Sequence, residues 1–227
     1  MPKVILFNAP ANTGKSVATD YLLSIYKAMT APCKEELWHI TMAFFNLSEG
    51  EFFSIYEDRE QKETPREEFA VTHAAFLKLV NYLKDKEMLH RMGDSERVGY
   101  TRLSCREALI FVSETIVKPT LGGDVFGRYR ASFIKGNDMI YIDDSAGFKE
   151  ELHPLIDIVG KESILLVRIH REGCSFDGDS RNYVPESMFN YVVDIDNSGS
   201  LEEFLNDVAM AVKGWLGDQE GEYLKYG

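Results

Sequence analysis

The feature that most constrains the fold is a short apolar run followed at once by a glycine-containing loop and then by helical periodicity. Residues 4–7 form a continuous apolar run, which is typical of a strand buried on both faces. The octapeptide APANTGKS follows at residues 9–16, and residues 15–30 have the spacing of a helix. The octapeptide matches the pattern G-x-x-x-x-G-K-[ST] except at its first position, where Ala9 replaces glycine. The order strand, loop, helix predicts the first unit of a parallel α/β sheet.

The residue types of this loop are suited to holding a chain of phosphates. In such a loop the backbone N–H groups and the helix N-terminus face phosphate oxygens, the lysine neutralises the outer phosphates, and the hydroxyl residue binds Mg²⁺. The alternative is a strand-to-helix turn that contains Gly-Lys-Ser by chance, and the glycine that Ala9 replaces is often selected for its dihedral angles. The predicted nucleotide-binding residues are Ala11, Asn12, Thr13, Gly14, Lys15 and Ser16, and Ser16 is also a predicted Mg²⁺ ligand.

Alternating apolar runs and helical segments organise the later part of the chain. Apolar runs at residues 139–143, 164–170 and 191–195 predict further strands. Residues 148–159, between the first two runs, have helical spacing. This alternation is typical of strands that pair in parallel through helical crossovers.

Two serine-glutamate pairs predict helix N-termini. Ser104 is followed three residues later by Glu107, and Ser200 by Glu203, which is the spacing of a capping box. The helix that Ser104 opens is expected to end before Pro119, because proline disfavours a helical conformation at the residue before it. The helix that Ser200 opens is expected to reach about residue 215.

Together these elements predict one α/β domain: a P-loop NTPase-like doubly wound parallel sheet with a helical insertion and a lid loop. The insertion is inferred from helical periodicity that continues from residue 33 to about residue 89, with interruptions near Gly50 and at Pro65. The predicted core comprises residues 1–32 and 103–227, the insertion residues 33–102, and the lid residues 170–185.

Charged residues outside the loop supply further candidates. Asp143 and Asp144 end a predicted strand, where a carboxylate can hold Mg²⁺, although a solvated turn is the alternative. Asp143 is closer to the strand and is the first choice of the two. Arg171 and Arg181 lie in the polar lid loop, where guanidinium groups could reach a transferring phosphoryl group. The alternative is that these arginines pair with neighbouring aspartates, Asp177 and Asp179, in a surface loop. Three further basic residues could bind an anionic partner or form an ordinary solvated face, and these are Arg106, Lys118 and Arg128.

Composition excludes several classes of function. The net charge of −12, from 25 basic and 37 acidic residues, argues against a general nucleic-acid binder, so any phosphate site must be local. Three cysteines without C-x-x-C spacing suggest neither a disulfide framework nor a zinc cluster. No apolar segment approaches the length of a membrane span, and the N-terminal apolar run is too short for a signal peptide. We therefore expect a cytoplasmic protein without membrane partners.

These motifs together resemble those of the bacteriophage-type deoxynucleoside monophosphate kinases, a branch of the P-loop nucleoside monophosphate kinases. The similarity covers the Gly-Lys-Ser loop, the segments around residues 104–109, 118–119 and 126–127, and the segments 144–148 and 170–181. Residues 33–102 match only as a generic helical insertion. The loop departs from the family at Ala9, and the lid lacks the four zinc ligands found in some adenylate kinases.

The resemblance implies transfer of the γ-phosphoryl group of ATP, with Mg²⁺, to a deoxynucleoside monophosphate bound by the helical insertion. It implies that Lys15 and Ser16 serve the triphosphate and the metal, that Arg106 binds the acceptor's phosphate, and that Arg171 and Arg181 contact the transferring group. The resemblance would place the protein in a host cytoplasm if it is phage-encoded.

Three other functions remain open at the level of sequence. A kinase of another small molecule would keep the phosphate-binding loop and add a carboxylate base near the acceptor hydroxyl. A nucleotide-binding ATPase or regulatory module would hydrolyse ATP without an acceptor. A degenerate relative would bind nucleotide and catalyse nothing. The accepted base and sugar, and the presence of a homodimer, are also open.

Overall fold

The computed structural model describes residues 2–31, 35–72, 100–136, 138–177, 179 and 181–217. It divides into two compact units, Met1–Cys33 with Phe126–Gly227, and Lys34–Val125. Residues 73–99, which belong to the later part of the predicted insertion, lie outside the described part, as do residues 178 and 180 of the predicted lid. In chain order the elements are β1 (Lys3–Asn8), α1 (Lys15–Ile25), β2 (Ala28–Thr30), α2 (Glu35–Phe45), α3 (Glu49–Tyr56), α4 (Arg59–Glu63), β3 (Arg66–Thr72), β4 (Tyr100–Leu103), α5 (Cys105–Phe111), a π-helical segment (Val112–Val117), α6 (Lys118–Leu121), α7 (Val125–Ile134), β5 (Ile140–Asp143), α8 (Lys149–Val159), a 3-10 turn (Lys161–Ser163), β6 (Ile164–His170), a second 3-10 turn (Glu186–Met188), β7 (Tyr191–Asp196) and α9 (Leu201–Leu216).

The first unit contains a five-stranded parallel sheet flanked by helices, with strand order β2-β5-β1-β6-β7. The central strand β1 shows why helices cover both faces of the sheet. Its side chains alternate between two apolar clusters: Ile5 and Phe7 pack with α1 and α9, whereas Val4 and Leu6 pack with α7 and α8. All four are fully buried, which agrees with the continuous apolar run in the sequence.

Four predicted strands and the two predicted capping boxes are confirmed. The runs at the start of the chain, at 139–143, at 164–170 and at 191–195 correspond to β1, β5, β6 and β7. Ser104 and Ser200 each accept a hydrogen bond from the backbone of the glutamate three residues later, and each glutamate side chain accepts from the serine backbone. A third capping box, Ser48 with Glu51, opens α3.

The helix after the glycine loop is shorter than predicted. It ends at Ile25, Tyr26 is extended, and residues 28–30 form the edge strand β2 rather than the end of a helix. β2 pairs in parallel with β5, with Ala28 opposite Ile140. Three residues are too few to show strand periodicity. The strand conformation of residues 28–30 depends on their pairing with β5, which the local sequence does not reveal.

Pro119 does not end the helix that Ser104 opens, contrary to prediction. Helix α5 passes into the π-helical segment, and α6 begins at Lys118 with Pro119 in its first turn. Proline is tolerated there because the first N–H groups of a helix need no partner within it.

The second unit, Lys34–Val125, extends beyond the predicted insertion boundary at residue 102. Its α2 packs against the capped helix through Phe44 and Phe111, whose ring centroids are 5.7 Å apart. This aromatic contact explains why the segment after residue 103, predicted as core, clusters with the insertion. Residues 66–72, predicted as helical, instead form β3, which pairs antiparallel with β4 and buries Phe69 and Val71 on one face.

Candidate functional site

The loop between β1 and α1 lies at the carboxyl edge of the sheet, where its strand order reverses. From β1 the chain leads to β2 on one side, and from β6 it leads to β7 on the other side. The carboxyl ends of β1 and β6 therefore flank a topological switch point, which is the usual position of ligands in open parallel sheets. Residues 9–14 follow β1 at this point.

The loop has a specific backbone conformation. Asn12 has φ of 65° and Gly14 has φ of 100°, so both adopt left-handed conformations. A Cβ atom on Gly14 would lie 2.6 Å from Asn197 Nδ2 and 3.1 Å from the ring of Phe204. Glycine is therefore required at position 14 both by its dihedral angle and by the close approach of Asn197.

Lys15 turns back over the start of the loop. Its ammonium donates to the carbonyl oxygens of Ala9, at 2.7 Å, and Pro10, at 2.5 Å. The hydroxyl of Thr13 also donates to the Pro10 carbonyl, at 2.9 Å. These contacts hold a positive charge beside the loop and close the loop on itself.

Two side chains that follow β6 and β7 donate to backbone carbonyls of the loop. Arg171, directly after β6, donates from Nη1 to the carbonyl of Asn12, at 3.1 Å. Asn197, directly after β7, donates from Nδ2 to the carbonyl of Thr13, at 2.8 Å. The structure thus brings Arg171 to the predicted nucleotide-binding residues, as a contact to the backbone. Sequence reasoning did not identify Asn197.

Asn8 is a second residue that sequence reasoning did not identify as structurally important. It is fully buried at the end of β1. Its Nδ2 donates to the carbonyls of Ala146 and Asn182, both at 3.0 Å, and its Oδ1 accepts from the backbone N–H of Val184, at 2.8 Å. Asn8 therefore joins β1 to the loop after β5 and to the end of the predicted lid. The sequence signal for Asn8 was a polar residue directly after a buried apolar run, because buried polar groups require hydrogen-bond partners.

Asp143, predicted as a Mg²⁺ ligand, is part of a buried ion-pair cluster. Its Oδ2 lies 2.6 Å from Nη1 of Arg130, and Arg130 also lies 3.5 Å from Glu151. Asp143 and Arg130 are each 1% exposed. The Oδ1 atom of Asp143 accepts from both the backbone N–H and the hydroxyl of Ser145. Both carboxylate oxygens of Asp143 thus have protein partners, and the residue fits a structural role better than that of a metal ligand.

Ser16 and Asp144 are the other two predicted Mg²⁺ ligands. Ser16 is exposed in the first turn of α1, and Asp144 is partly exposed directly after β5. Among the described residues, no group of three or more histidine, cysteine, aspartate or glutamate side chains is arranged to hold a metal ion. One hydroxyl and one carboxylate fit Mg²⁺ when nucleotide phosphates and water supply the other ligands, as Mg²⁺ commonly prefers.

Arg181 pairs within its own loop. Its Nε and Nη2 donate to the two carboxylate oxygens of Asp179, at 3.1 and 3.0 Å. The pairing of lid arginines with neighbouring aspartates, the alternative left open by the sequence, therefore occurs for Arg181. Arg171 contacts the loop after β1, while the Asp177 carboxylate accepts from the Ser175 hydroxyl.

A charged cluster crosses β6 and β7 beside this loop. Arg168 binds both carboxylate oxygens of Asp194, at 2.9 and 2.5 Å, and His170 Nε2 lies 2.5 Å from the same carboxylate. The hydrogen bonds that Asp194 accepts from Arg168 and His170 lower the pKa of Asp194, and the hydrogen bonds that Arg168 donates to Asp194 raise the pKa of Arg168. The hydroxyl of Tyr183 donates to the Ile169 carbonyl, at 3.0 Å, and burial raises its pKa.

The three predicted acceptor-binding residues lie in different units. Arg128 is exposed on α7, in the first unit. In the second unit, Arg106 forms a two-point contact with Glu63, with Nε 2.6 Å from Oε1 and 2.9 Å from Oε2, and Lys118 pairs with Glu114 at 2.7 Å. Each of these two basic groups is thus held by a carboxylate of its own unit.

Comparison with known proteins identifies no family for this chain. A scan of family models finds no match to the chain, and a search of curated proteins finds no significant similarity. None of the helices in the described ranges combines the length and the apolar character needed to cross a bilayer.

Proposed function

We propose that the chain is an ATP-dependent kinase that transfers the terminal phosphoryl group to a nucleoside or deoxynucleoside monophosphate, giving the diphosphate. The observation that carries this proposal is the loop at residues 9–14. It joins the central strand to a helix at the topological switch point, and Lys15 places an ammonium group beside it. A P-loop fold is part of the same proposal.

The site supplies charge compensation and positioning, which are the main requirements of phosphoryl transfer. Lys15 lies at the loop, and Arg171 lies at the end of the neighbouring strand β6. In the proposed reaction Lys15 neutralises the outer phosphates, and Arg171 and Arg181 move from their protein partners to the transferring group. The acceptor's own phosphate is the nucleophile, so no dedicated base is required.

Magnesium belongs to this proposal as part of the bound nucleotide. When bound, it would neutralise charge on the outer phosphates and hold them in line for transfer. Ser16, in the first turn of α1, and Asp144, directly after β5, would hold it, because Mg²⁺ prefers oxygen ligands and keeps phosphate and water ligands beside one or two protein ligands. Arg106, Lys118 and Arg128 remain predictions for the binding of the acceptor.

The test is incubation of the purified chain with Mg·ATP and each nucleoside or deoxynucleoside monophosphate in turn, followed by chromatography of the products. We expect a diphosphate from at least one acceptor. Removal of the Lys15 ammonium in Lys15→Ala should slow turnover by about 10²-fold or more, because a positioned charge at the phosphates is lost. Lys27→Ala, at an exposed lysine between α1 and β2, is the matched control and should retain activity.

The same assay separates the alternatives. ATP hydrolysis that does not depend on any monophosphate would favour an ATPase or regulatory module. Transfer only to an acceptor hydroxyl would favour a kinase of another small molecule. Equal turnover by Lys15→Ala and the wild type would overturn the assignment of the loop.

A further inference from the structure

Asn197 links the ends of three strands. It is the first residue after β7 and is 9% exposed. Its backbone N–H donates to the carbonyl of His170, the last residue of β6, at 2.7 Å. Its side-chain amide donates to the carbonyl of Thr13 in the loop after β1, at 2.8 Å. The residue is therefore held by its backbone while its side chain fixes one peptide group of the loop.

The direction of that peptide group determines where its N–H points. The C=O and N–H bonds of a trans peptide point in opposite directions, and every peptide bond of this loop is trans. Because Asn197 holds the carbonyl of Thr13, the N–H of Gly14 in the same peptide points away from Asn197. Arg171 also donates to the Asn12 carbonyl, but in the proposed reaction it leaves that contact for the transferring group.

The sequence of the loop is adapted to this contact. A Cβ atom at position 14 would lie 2.6 Å from the Asn197 amide nitrogen, so any side chain there would displace it. The left-handed conformation of Gly14 also turns successive peptide groups as in the backbone concavities that bind anions. Glycine at position 14 thus leaves room for the Asn197 side-chain amide and allows the backbone to adopt the left-handed conformation.

The segments that carry the two donors are joined to each other. The backbone N–H of Glu172 donates to the hydroxyl of Ser198, at 3.1 Å. Ser198 in turn donates to Asp196 from both its backbone, at 3.1 Å, and its hydroxyl, at 2.6 Å. The residue after Arg171 is therefore tied to the residue after Asn197, so both donors approach the loop from one connected structure.

We propose that Asn197 is a positioning residue, which holds the Thr13–Gly14 peptide so that its N–H faces the oxygens of a bound polyphosphate. This inference rests on the proposed function, because it concerns the same loop. Asn197 does not touch the ligand; it acts through the loop backbone. Its removal should weaken the binding of the phosphate chain itself.

The test is calorimetric titration of Mg·ATP and of inorganic tripolyphosphate into four proteins: the wild type, Asn197→Ala, Asn197→Asp and Asn206→Asp. We expect Asn197→Ala to weaken both ligands by about tenfold, the effect of one hydrogen bond that positions a phosphate-binding group. Asn197→Asp should weaken them further, because a carboxylate would face the Thr13 carbonyl and the ligand's negative charge. Asn206 is exposed on α9, and its variant should bind within about twofold of the wild type.

A second measurement separates positioning from a general loss of stability. In the kinase assay, the Asn197 variants should raise the KM for ATP while leaving the KM for the monophosphate unchanged. A purely structural role would lower the melting temperature and leave the affinity of the folded protein for tripolyphosphate intact, which would overturn the inference. Wild-type affinity in Asn197→Ala, together with a defect in Lys15→Ala, would overturn this inference and leave the proposed function standing. Absence of any binding by the wild type would overturn both.

Discussion

Asp143 and Asp144 are adjacent in the sequence but occupy different environments. The side chain of Asp143 is fully buried against Arg130, which has only 1% of its side chain exposed, whereas Asp144 is partly exposed. Removing one charge of a buried pair leaves the other without compensation in a poorly solvated place. Replacement of Asp143 and of Asp144 by asparagine should therefore have different effects on the stability of the protein.

We predict that Asp143→Asn lowers the free energy of unfolding by about 3–5 kcal/mol, because the buried Arg130 loses a counter-charge that lies 2.6 Å away. Asp144→Asn should lower that free energy by less than Asp143→Asn does, because Asp144 is partly exposed and a partly solvated carboxylate contributes less than a buried one. Asp144→Asn should instead reduce the gain in ATP affinity that Mg²⁺ produces. Urea unfolding and ATP titration with and without Mg²⁺ measure the two effects. Destabilisation by Asp143→Asn no larger than that by Asp144→Asn would contradict the structural role of Asp143. An unchanged effect of Mg²⁺ on ATP affinity in Asp144→Asn would contradict a metal-binding role for Asp144.

Asn8 and Asn197 show what sequence reasoning could and could not obtain at this scale. The motif could single out Gly14, Lys15 and Ser16 as candidates because they lie together in one loop. Asn8 and Asn197 act on residues more than a hundred positions away, such as Asn182 and Thr13, so their partners depend on the order of strands in the sheet. No local pattern specifies such contacts.

At the scale of elements, the pairing of β6 with β7 places Arg168 directly opposite Asp194. Opposite charges at facing positions of neighbouring strands stabilise the pairing. Since hydrogen bonds from Arg168 lower the pKa of Asp194, its carboxylate contributes stability above its unfolded pKa of about 3.9. That contribution is lost as the pH falls through the lower, folded-state value.

We predict that the effect of Asp194→Asn on the free energy of unfolding depends on pH. The Asp194 side chain is 47% exposed, so solvent screening limits its contribution to about 1 kcal/mol or less. The difference in unfolding free energy between the wild type and the variant should be constant from about pH 5 to pH 6 and should shrink below about pH 4. Urea unfolding of both proteins at a series of pH values measures this difference in free energy. A difference that stays the same down to about pH 3 would show that the ion pair is not its source.

At the scale of the whole molecule, the sequence predicted the α/β class, the strands β1, β5, β6 and β7, and the site of the glycine loop. It did not predict β2, β3 or the continuation of the capped helix past Pro119. β2 depends on pairing with β5, more than a hundred residues later in the chain, and β3 on pairing with β4. Long apolar runs predict strands well because burial in the sheet requires them. Short strands at the edge of a sheet depend instead on pairing with another strand.

The proposed kinase activity requires that the loop after β1 bind a triphosphate. The most direct test is a crystal structure of the protein with Mg²⁺ and the β,γ-imido analogue of ATP. We predict that the triphosphate lies against residues 9–14, with the Lys15 ammonium about 2.8 Å from its outer phosphate oxygens and the Gly14 amide facing the phosphates. A nucleotide bound elsewhere, with Lys15 contacting only the carbonyls of Ala9 and Pro10, would contradict the proposed function.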